Sequence, residues 1–195
     1  MQGEPTHPGG PEGLAGLRAG DPQAVDRWFR AEHPRVWRLC LGFLGAAEEA
    51  EDAAQEALLK LHDHIDAWDP ERPYGPWRNA LVLNVCRDRL RRREVRARAE
   101  EQAAAERELQ AEVSPSADLE QGELRDRITR ALALLSERER EAFVLRELEG
   151  EATAGVALAM KISESSVRSL LTLARRRLRE HLAGERQELL GGGDA

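Results

Sequence analysis

Three groups of side chains have types and spacings that could do chemistry, and all three fall on helical periods. Trp77, Asn84, Arg87 and Arg91 recur on one strip about 80° wide at ~3.6 residues per turn. An indole, an amide and guanidinium groups on one strip can stack unpaired bases and hold the phosphates of a single strand. The segment before them, 69–76, carries Pro70, Pro73, Gly75 and Pro76, so it reads as a loop that could cradle a base turned out of its stack. Near the C-terminus, Ser165, Ser169, Thr172 and Arg176 lie opposite an apolar stripe of Val167, Leu171, Ala174 and Leu178. Arg168, Arg175 and Arg179 flank them. Small hydroxyls interleaved with Arg suit base edges and phosphates in a major groove. A third face, Asp52, Gln55, Glu56, Leu59 and Asp63, sets an exposed Leu among acids and amides, which fits a protein partner carrying basic residues.

The elements that must position these groups all read as helices, with no β-alternation. Asp21-Pro22 supplies an N-cap and a first-turn Pro, opening a helix to about Glu32. Pro34 predicts a break, after which Val36, Trp37, Cys40, Leu41 and Leu44 define a second helix stopped by Gly45. Ala50, Ala54, Ala57, Leu58, Leu61 and Ile65 recur at steps of three and four in the acidic segment. A further helix starts at Pro76-Trp77 and runs past Arg93. Later, Ser136 with Glu139 makes a capping box for a helix holding Phe143, Val144 and Leu148, ended by Gly150. A short helix over about Thr153–Met160, the turn Lys161-Ile162-Ser163 and a long helix from Glu164 make a helix-turn-helix pattern. The expected organisation is all-α: a disordered N-terminus at 1–13, a helical domain at 14–98, a flexible acidic linker at 99–122, the helix-turn-helix domain at 123–183 and a tail at 184–195.

The chain has 195 residues, 33% of them charged, and a net charge of −7 that hides alternating blocks. Residues 48–71 hold nine acids against Lys60, and 77–98 hold eight Arg against two acids. Residues 100–126 hold nine acids against two Arg, and 164–182 hold five Arg against two Glu. Two basic helices between acidic stretches is the footprint of a molecule that meets nucleic acid and a second macromolecule. No apolar run approaches the ~18 residues of a membrane span and no signal-peptide pattern opens the chain, so membrane insertion and secretion are not expected. Cys40 and Cys86 sit in apolar helical stretches and read as free thiols in a reducing cytoplasm. Enzyme chemistry finds no support. His62 and His64 point to different faces of one helix, no Glu stands three residues before either, and neither a Walker loop nor a nucleophile elbow occurs. No metal or cofactor is expected.

These motifs resemble the extracytoplasmic-function (group IV) sigma factors of bacterial RNA polymerase. The stretch Asp52 to Leu61 resembles that family's region 2.2; Trp77, Asn84, Asp88 and Leu90-Arg91-Arg92-Arg93 resemble regions 2.3 and 2.4. Leu135 through Leu178, with Ser166-Val167-Arg168-Ser169 and the Arg175-Arg176-Arg177 run, resembles region 4. The resemblance implies that Asp52, Gln55, Glu56 and Leu59 bind core polymerase. It implies that Trp77, Asn84, Arg87, Arg91 and Arg92 melt and hold the −10 element of promoter DNA. Ser165, Ser166, Arg168, Ser169, Thr172, Arg175 and Arg176 would then read the −35 element, and a dedicated anti-sigma factor is implied as a further partner. Lys161 stands where the family's turn has Gly, which implies a strained backbone there, and Thr153 replaces an aromatic. Leu170 and Leu173 replace basic or polar residues and offer a surface for another protein. The rival is a one-component helix-turn-helix regulator acting without core polymerase, since the Leu135-Ser136-Glu137-Arg138-Glu139 run also resembles quorum-type regulators; a helical adaptor that binds no DNA is a third.

Overall fold

A computed structural model describes residues 11–105 and 121–191, with side chains described over 14–99 and 127–183. Every regular element among the described residues is helical: α1 (Pro11–Arg18), α2 (Pro22–Leu44), α3 (Ala47–Asp63), α4 (Tyr74–Ala105), α5 (Gln121–Ala133), α6 (Glu137–Phe143), α7 (Thr153–Met160) and α8 (Glu164–Gly191). None of them is long and apolar enough to cross a membrane. Of the segment expected to be disordered, residues 1–10 lie outside the described residues, and Pro11–Gly13 instead begin α1. Leu14 and Leu17, one turn apart, bury themselves in the core and hold that helix in place. Most of the expected linker, 106–120, also lies outside the described residues.

The break expected at Pro34 does not occur, because α2 runs through it. Trp28 and Glu32 before the proline and Val36, Leu39, Cys40 and Phe43 after it all point into the interior. Burying side chains of this size contributes about 1.5–3 kcal/mol each, which outweighs the ~3 kcal/mol an interior proline costs. The N-cap is as expected: the Asp21 carboxylate accepts from the backbone N–H of Gln23 and Ala24. Gly45 closes the helix in the left-handed region, at φ 80°.

Helix α3 is built for close approach. Ala50, Ala53, Ala54 and Ala57 have no exposed surface and let α2 and α4 lie near its axis, while Leu58 and Leu61 fill the gaps. Its acidic face is thereby turned away from the core. A 3₁₀ turn at Ile65–Ala67 and the loop to Tyr74 follow. This loop is braced: Arg18 donates to the carbonyls of Ile65 (3.2 Å) and Trp68 (2.5 Å) and lies over the Trp68 ring, and Trp68 Nε1 donates to the Arg72 carbonyl at 3.1 Å. The bracing delivers Tyr74 and Trp77 to the start of α4 with their rings 5.7 Å apart.

In the second half the capping box is present in both directions: Glu139 N–H donates to Ser136 Oγ and Ser136 N–H donates to the Glu139 carboxylate. Helix α6 then widens into a π-type turn over Val144–Leu148. Short α7 leads through Lys161 into α8, whose Val167, Leu171 and Ala174 are buried as the stripe predicts, with Leu178 packed at the margin. Lys161 lies at φ 55°, ψ 49° and is the non-glycine residue with positive φ among those described. The strain expected at this turn is therefore real.

The two halves do not stand apart. Helix α4 packs along α7, α2 meets α6, and buried residues of both form one continuous apolar core. Arg140 stitches this junction from the second half, donating to the carbonyls of Leu132 (2.9 Å) and Leu135 (3.4 Å) in its own half and of Phe43 (3.1 Å) at the end of α2. Burial lowers its pKa, yet the three carbonyl acceptors satisfy the guanidinium. Because Lys161 carries its strain without a compensating contact to the core, Lys161→Gly should raise unfolding stability by about 1 kcal/mol in urea titrations; an unchanged or lowered midpoint would show that the left-handed turn is unstrained.

Candidate nucleic-acid interface

On α8, all seven side chains singled out for duplex contact lie on the solvent side: Ser165, Ser166, Arg168, Ser169, Thr172, Arg175 and Arg176 are exposed. Ser163 caps the helix, its Oγ accepting from Ser166 N–H at 3.1 Å and lying 2.8 Å from the hydroxyls of Ser165 and Ser166. One turn on, Ser169 and Thr172 hydroxyls donate back to the carbonyls of Ser165 and Arg168, which leaves their lone pairs facing out. Arg168 and Arg176 are paired along the helix with Glu164 and Glu180, whereas Arg175 reaches Glu147 at 2.5 Å. These are surface pairs worth little to stability, so phosphates can displace them. Leu170 is partly buried against the core and Leu173 is exposed, so only the second of the two leucines offers apolar surface.

The α4 strip is split by its surroundings. Asn84, Arg91 and Arg92 are exposed, Arg91 with an Asp88 carboxylate 3.3 Å away, and Trp77 is half-buried against Tyr74. Arg87 is engaged elsewhere. Its Nε and Nη2 donate to the two carboxylate oxygens of Glu141 in α6 at 2.5 and 2.7 Å, a bidentate fork that pushes its pKa up still further. The structure thus brings Trp77, Asn84 and Arg91 together on one helix but commits Arg87 to the second half.

The α3 face has the composition expected. Asp52, Gln55 and Leu59 are exposed, Leu59 by 57%. Glu56 is partly covered: Lys60 Nζ donates to it at 2.8 Å and Arg89 of α4 donates to it at 3.0 Å, and these cations hold its carboxyl below the usual range. Arg89 also lies 3.9 Å from Asp52, and Arg93 lies 3.6 Å from Glu49. Two Arg of the basic block, Arg89 and Arg93, therefore serve to join α4 to the acid-rich helix beside it.

Arg78 and Asn79 lie outside the three faces that the sequence marks. Both are fully buried at the foot of α4. Arg78 donates to Glu32 in α2 (3.4 Å) and to Glu149 at the end of the π turn (2.6 Å), and Arg35 pairs with the same Glu149. Asn79 accepts from Arg78 at 2.8 and 3.1 Å and donates to Glu151 at 3.0 Å. Glu151 lies between two glycines, since a Cβ on Gly75 would meet its carboxylate at 2.8 Å and one on Gly155 would overlap it. A signal did exist: Arg78 and Asn79 stand four residues before the apolar Val82 and Leu83, on the face of the helix that must be buried. A cation and an amide there require partners, and the partners come from the other half.

The Sigma-70 region 2 family profile matches residues 28–96, and the Sigma-70 region 4 profile matches 125–178. The chain is 34% identical over 166 residues to the ECF RNA polymerase sigma factor SigM of Mycobacterium tuberculosis, covering 85% of this chain and 80% of the relative. It is 33% identical over 161 residues to the ECF RNA polymerase sigma factor SigL of the same species, covering 80% of this chain and 88% of the relative. Two solved structures share the fold. CnrH in complex with the cytosolic domain of CnrY superposes with a TM-score of 0.66 at 21% identity, over 89% of this chain and 96% of that one. RpoE from Bartonella quintana, in complex with the anti-sigma factor NepR, gives 0.64 at 22% identity, over 81% and 96%. With both regions matched in order and relatives aligned over most of their length, the chain belongs to the ECF sigma factors of RNA polymerase.

Proposed function

We propose that this chain directs promoter-specific initiation in the cytoplasm, without catalysing a reaction itself. It binds core RNA polymerase through α3, melts and holds the −10 element with α4 and the loop before it, and reads the −35 element with α8. Residues 14–98 supply the first two tasks and 123–183 the third. The observation that carries this reading is the face of α8: a capped helix after a helix-turn-helix turn, its apolar stripe docked and its hydroxyl and Arg side chains open to solvent. Exposed Asn84, Arg91 and Arg92 add a basic patch on the same molecule for single-strand phosphates. An anti-sigma factor is a further proposed partner, because one solved relative is held by such a protein.

Purified chain added to core polymerase, with genomic fragments as template, should yield transcripts whose mapped 5′ ends share upstream −35 and −10 sequences. Equally tight binding to those promoters without core would instead support a one-component regulator. Gln55→Ala combined with Leu59→Ala should weaken core binding about tenfold, equivalent to ~1.4 kcal/mol, and leave the circular dichroism unchanged. Both side chains are exposed and neither supports the core, so unchanged affinity in a competition assay removes α3 from the interface. In the assembled holoenzyme, Asn84→Ala and Arg91→Ala should reduce permanganate reactivity of the melted region without altering core affinity. Loss of the Arg91 phosphate contact should also lower the salt slope of single-strand binding by about 0.7. Reactivity equal to wild type in both variants would take this strip out of melting.

A further inference from the structure

Two sulfurs meet in the core, and none of the three binding faces uses them. Cys40 in α2 and Cys86 in α4 are the two cysteines of the chain and stand 46 positions apart in sequence. Both are buried free thiols, as their apolar surroundings predict, and the Cys86 thiol donates to Cys40 Sγ across 3.8 Å. Closing that gap to the ~2.05 Å of a disulfide asks for about 1.8 Å of approach. It is shared between two side chains on helices that already pack together. A small pocket reaches Cys86 but not Cys40. Phe43, Leu83 and Leu90 form its apolar walls, Arg87, Arg140 and Glu141 its polar side, and it has room for about one water-sized molecule. Arg87 is itself partly exposed, so the polar side of the pocket is in touch with solvent.

Two thiols in contact, one of them within reach of a small oxidant, are the arrangement of a reversible disulfide, and disulfides of reducing compartments are usually of this transient kind. We propose that Cys40 and Cys86 form a modification site: a peroxide converts them to an internal disulfide that staples α2 to α4, and a dithiol reductant releases it. The Cys86 sulfur attacks the peroxide, an S–O bond forming as the O–O bond breaks, and the departing hydroxide takes up the thiol proton as water. The Cys40 sulfur then attacks Cys86. An S–S bond forms as the S–O bond breaks, and a second water carries off the Cys40 proton. Two electrons thus pass from two thiols to one peroxide, and the adjacent Cys40 captures the sulfenic acid before it is oxidised further. The hydrogen bond to Cys40 and burial push the Cys86 pKa up, so thiolate is scarce at neutral pH and the reaction is slow there, quickening as pH rises. The ring closed by the new bond contains α3, the loop after it and the start of α4 through Asn84. Cross-linking that stretch lowers the entropy of the unfolded chain. Asp52, Gln55, Leu59, Asn84 and Arg91 are exposed while both sulfurs are buried, so the staple holds the fold and leaves the binding faces open.

The purified full-length chain, reduced and then treated with hydrogen peroxide, should lose both titratable thiols, run as a single chain on a non-reducing gel and yield one peptide that links Cys40 to Cys86. Thiol loss should quicken about tenfold per pH unit above neutrality, following the thiolate. The urea midpoint should rise by about 1–2 M and return with dithiothreitol. Cys40→Ala and Cys86→Ala, each left with one thiol, should gain no urea resistance from peroxide. The oxidised wild type should bind core polymerase as tightly as the reduced chain. Thiols that survive peroxide, bonds only between two chains, a disulfide that leaves the midpoint unchanged or lowers it, or a reductant-reversible loss of core binding on oxidation would overturn the staple. The thiol, peptide and urea readouts need no polymerase. Failure of the reduced chain to bind core would therefore overturn the sigma reading and leave the staple standing.

Discussion

The architecture depends on one buried guanidinium. Arg78 enters the interior at the foot of α4, where an unpaired cation would cost several kcal/mol, and its charge is met by Glu32 from the same half and Glu149 from the other. Asn79 Oδ1 accepts from further N–H groups of Arg78, and its Nδ2 passes the contact on by donating to Glu151. Removing any one of these leaves a buried charge or amide unsatisfied, so the network fixes where the halves meet more sharply than apolar packing alone would. Hydrophobic burial supplies the adhesion between α4 and α7. The polar network supplies the register.

The charge blocks take on structural meaning from this arrangement. The basic block of α4 divides into three uses: Arg89 and Arg93 lean on the acids of α3, Arg78 and Arg87 engage the acids of the second half, and Arg91 and Arg92 face solvent. The acidic face of α3 is correspondingly a mixed surface, part salt-bridged to α4 and part open. Helix α8 uses its Arg differently, in solvent-accessible pairs along its own length or with Glu147. Its field is therefore available to a polyanion while that of α4 is partly quenched.

Much of this was legible in the sequence because it follows local rules. Helical periodicity located α3 and α8, the Ser136–Glu139 capping box fixed the start of α6, and Gly45 and Gly150 marked helix ends at positive φ. Lys161 in place of glycine correctly signalled a strained turn. What failed was non-local. Pro34 looked like a helix break because propensity counts only its own ring, whereas the burial of Trp28, Val36 and Leu39 on either side decides the outcome. Leu14 and Leu17 were too short a run to announce α1 without the core they pack on. The exposed strip on α4 was drawn by angle alone, so Arg87 was grouped with Arg91 although Glu141, 54 residues away in sequence, claims it. Arg78 and Asn79 read as surface groups until their partners, Glu32, Glu149 and Glu151, are brought in from other elements.

That the buried Arg78 network sets where the two halves meet is tested most directly by a distance. Donor and acceptor dyes on cysteines substituted at exposed Asp63 in α3 and Arg176 in α8 would report the separation of the halves by single-molecule energy transfer. The free wild-type chain is expected to show one narrow high-transfer population, and Arg78→Ala to broaden it toward low transfer. A broad low-transfer population in the free wild-type chain, or the same narrow population in Arg78→Ala, would contradict it.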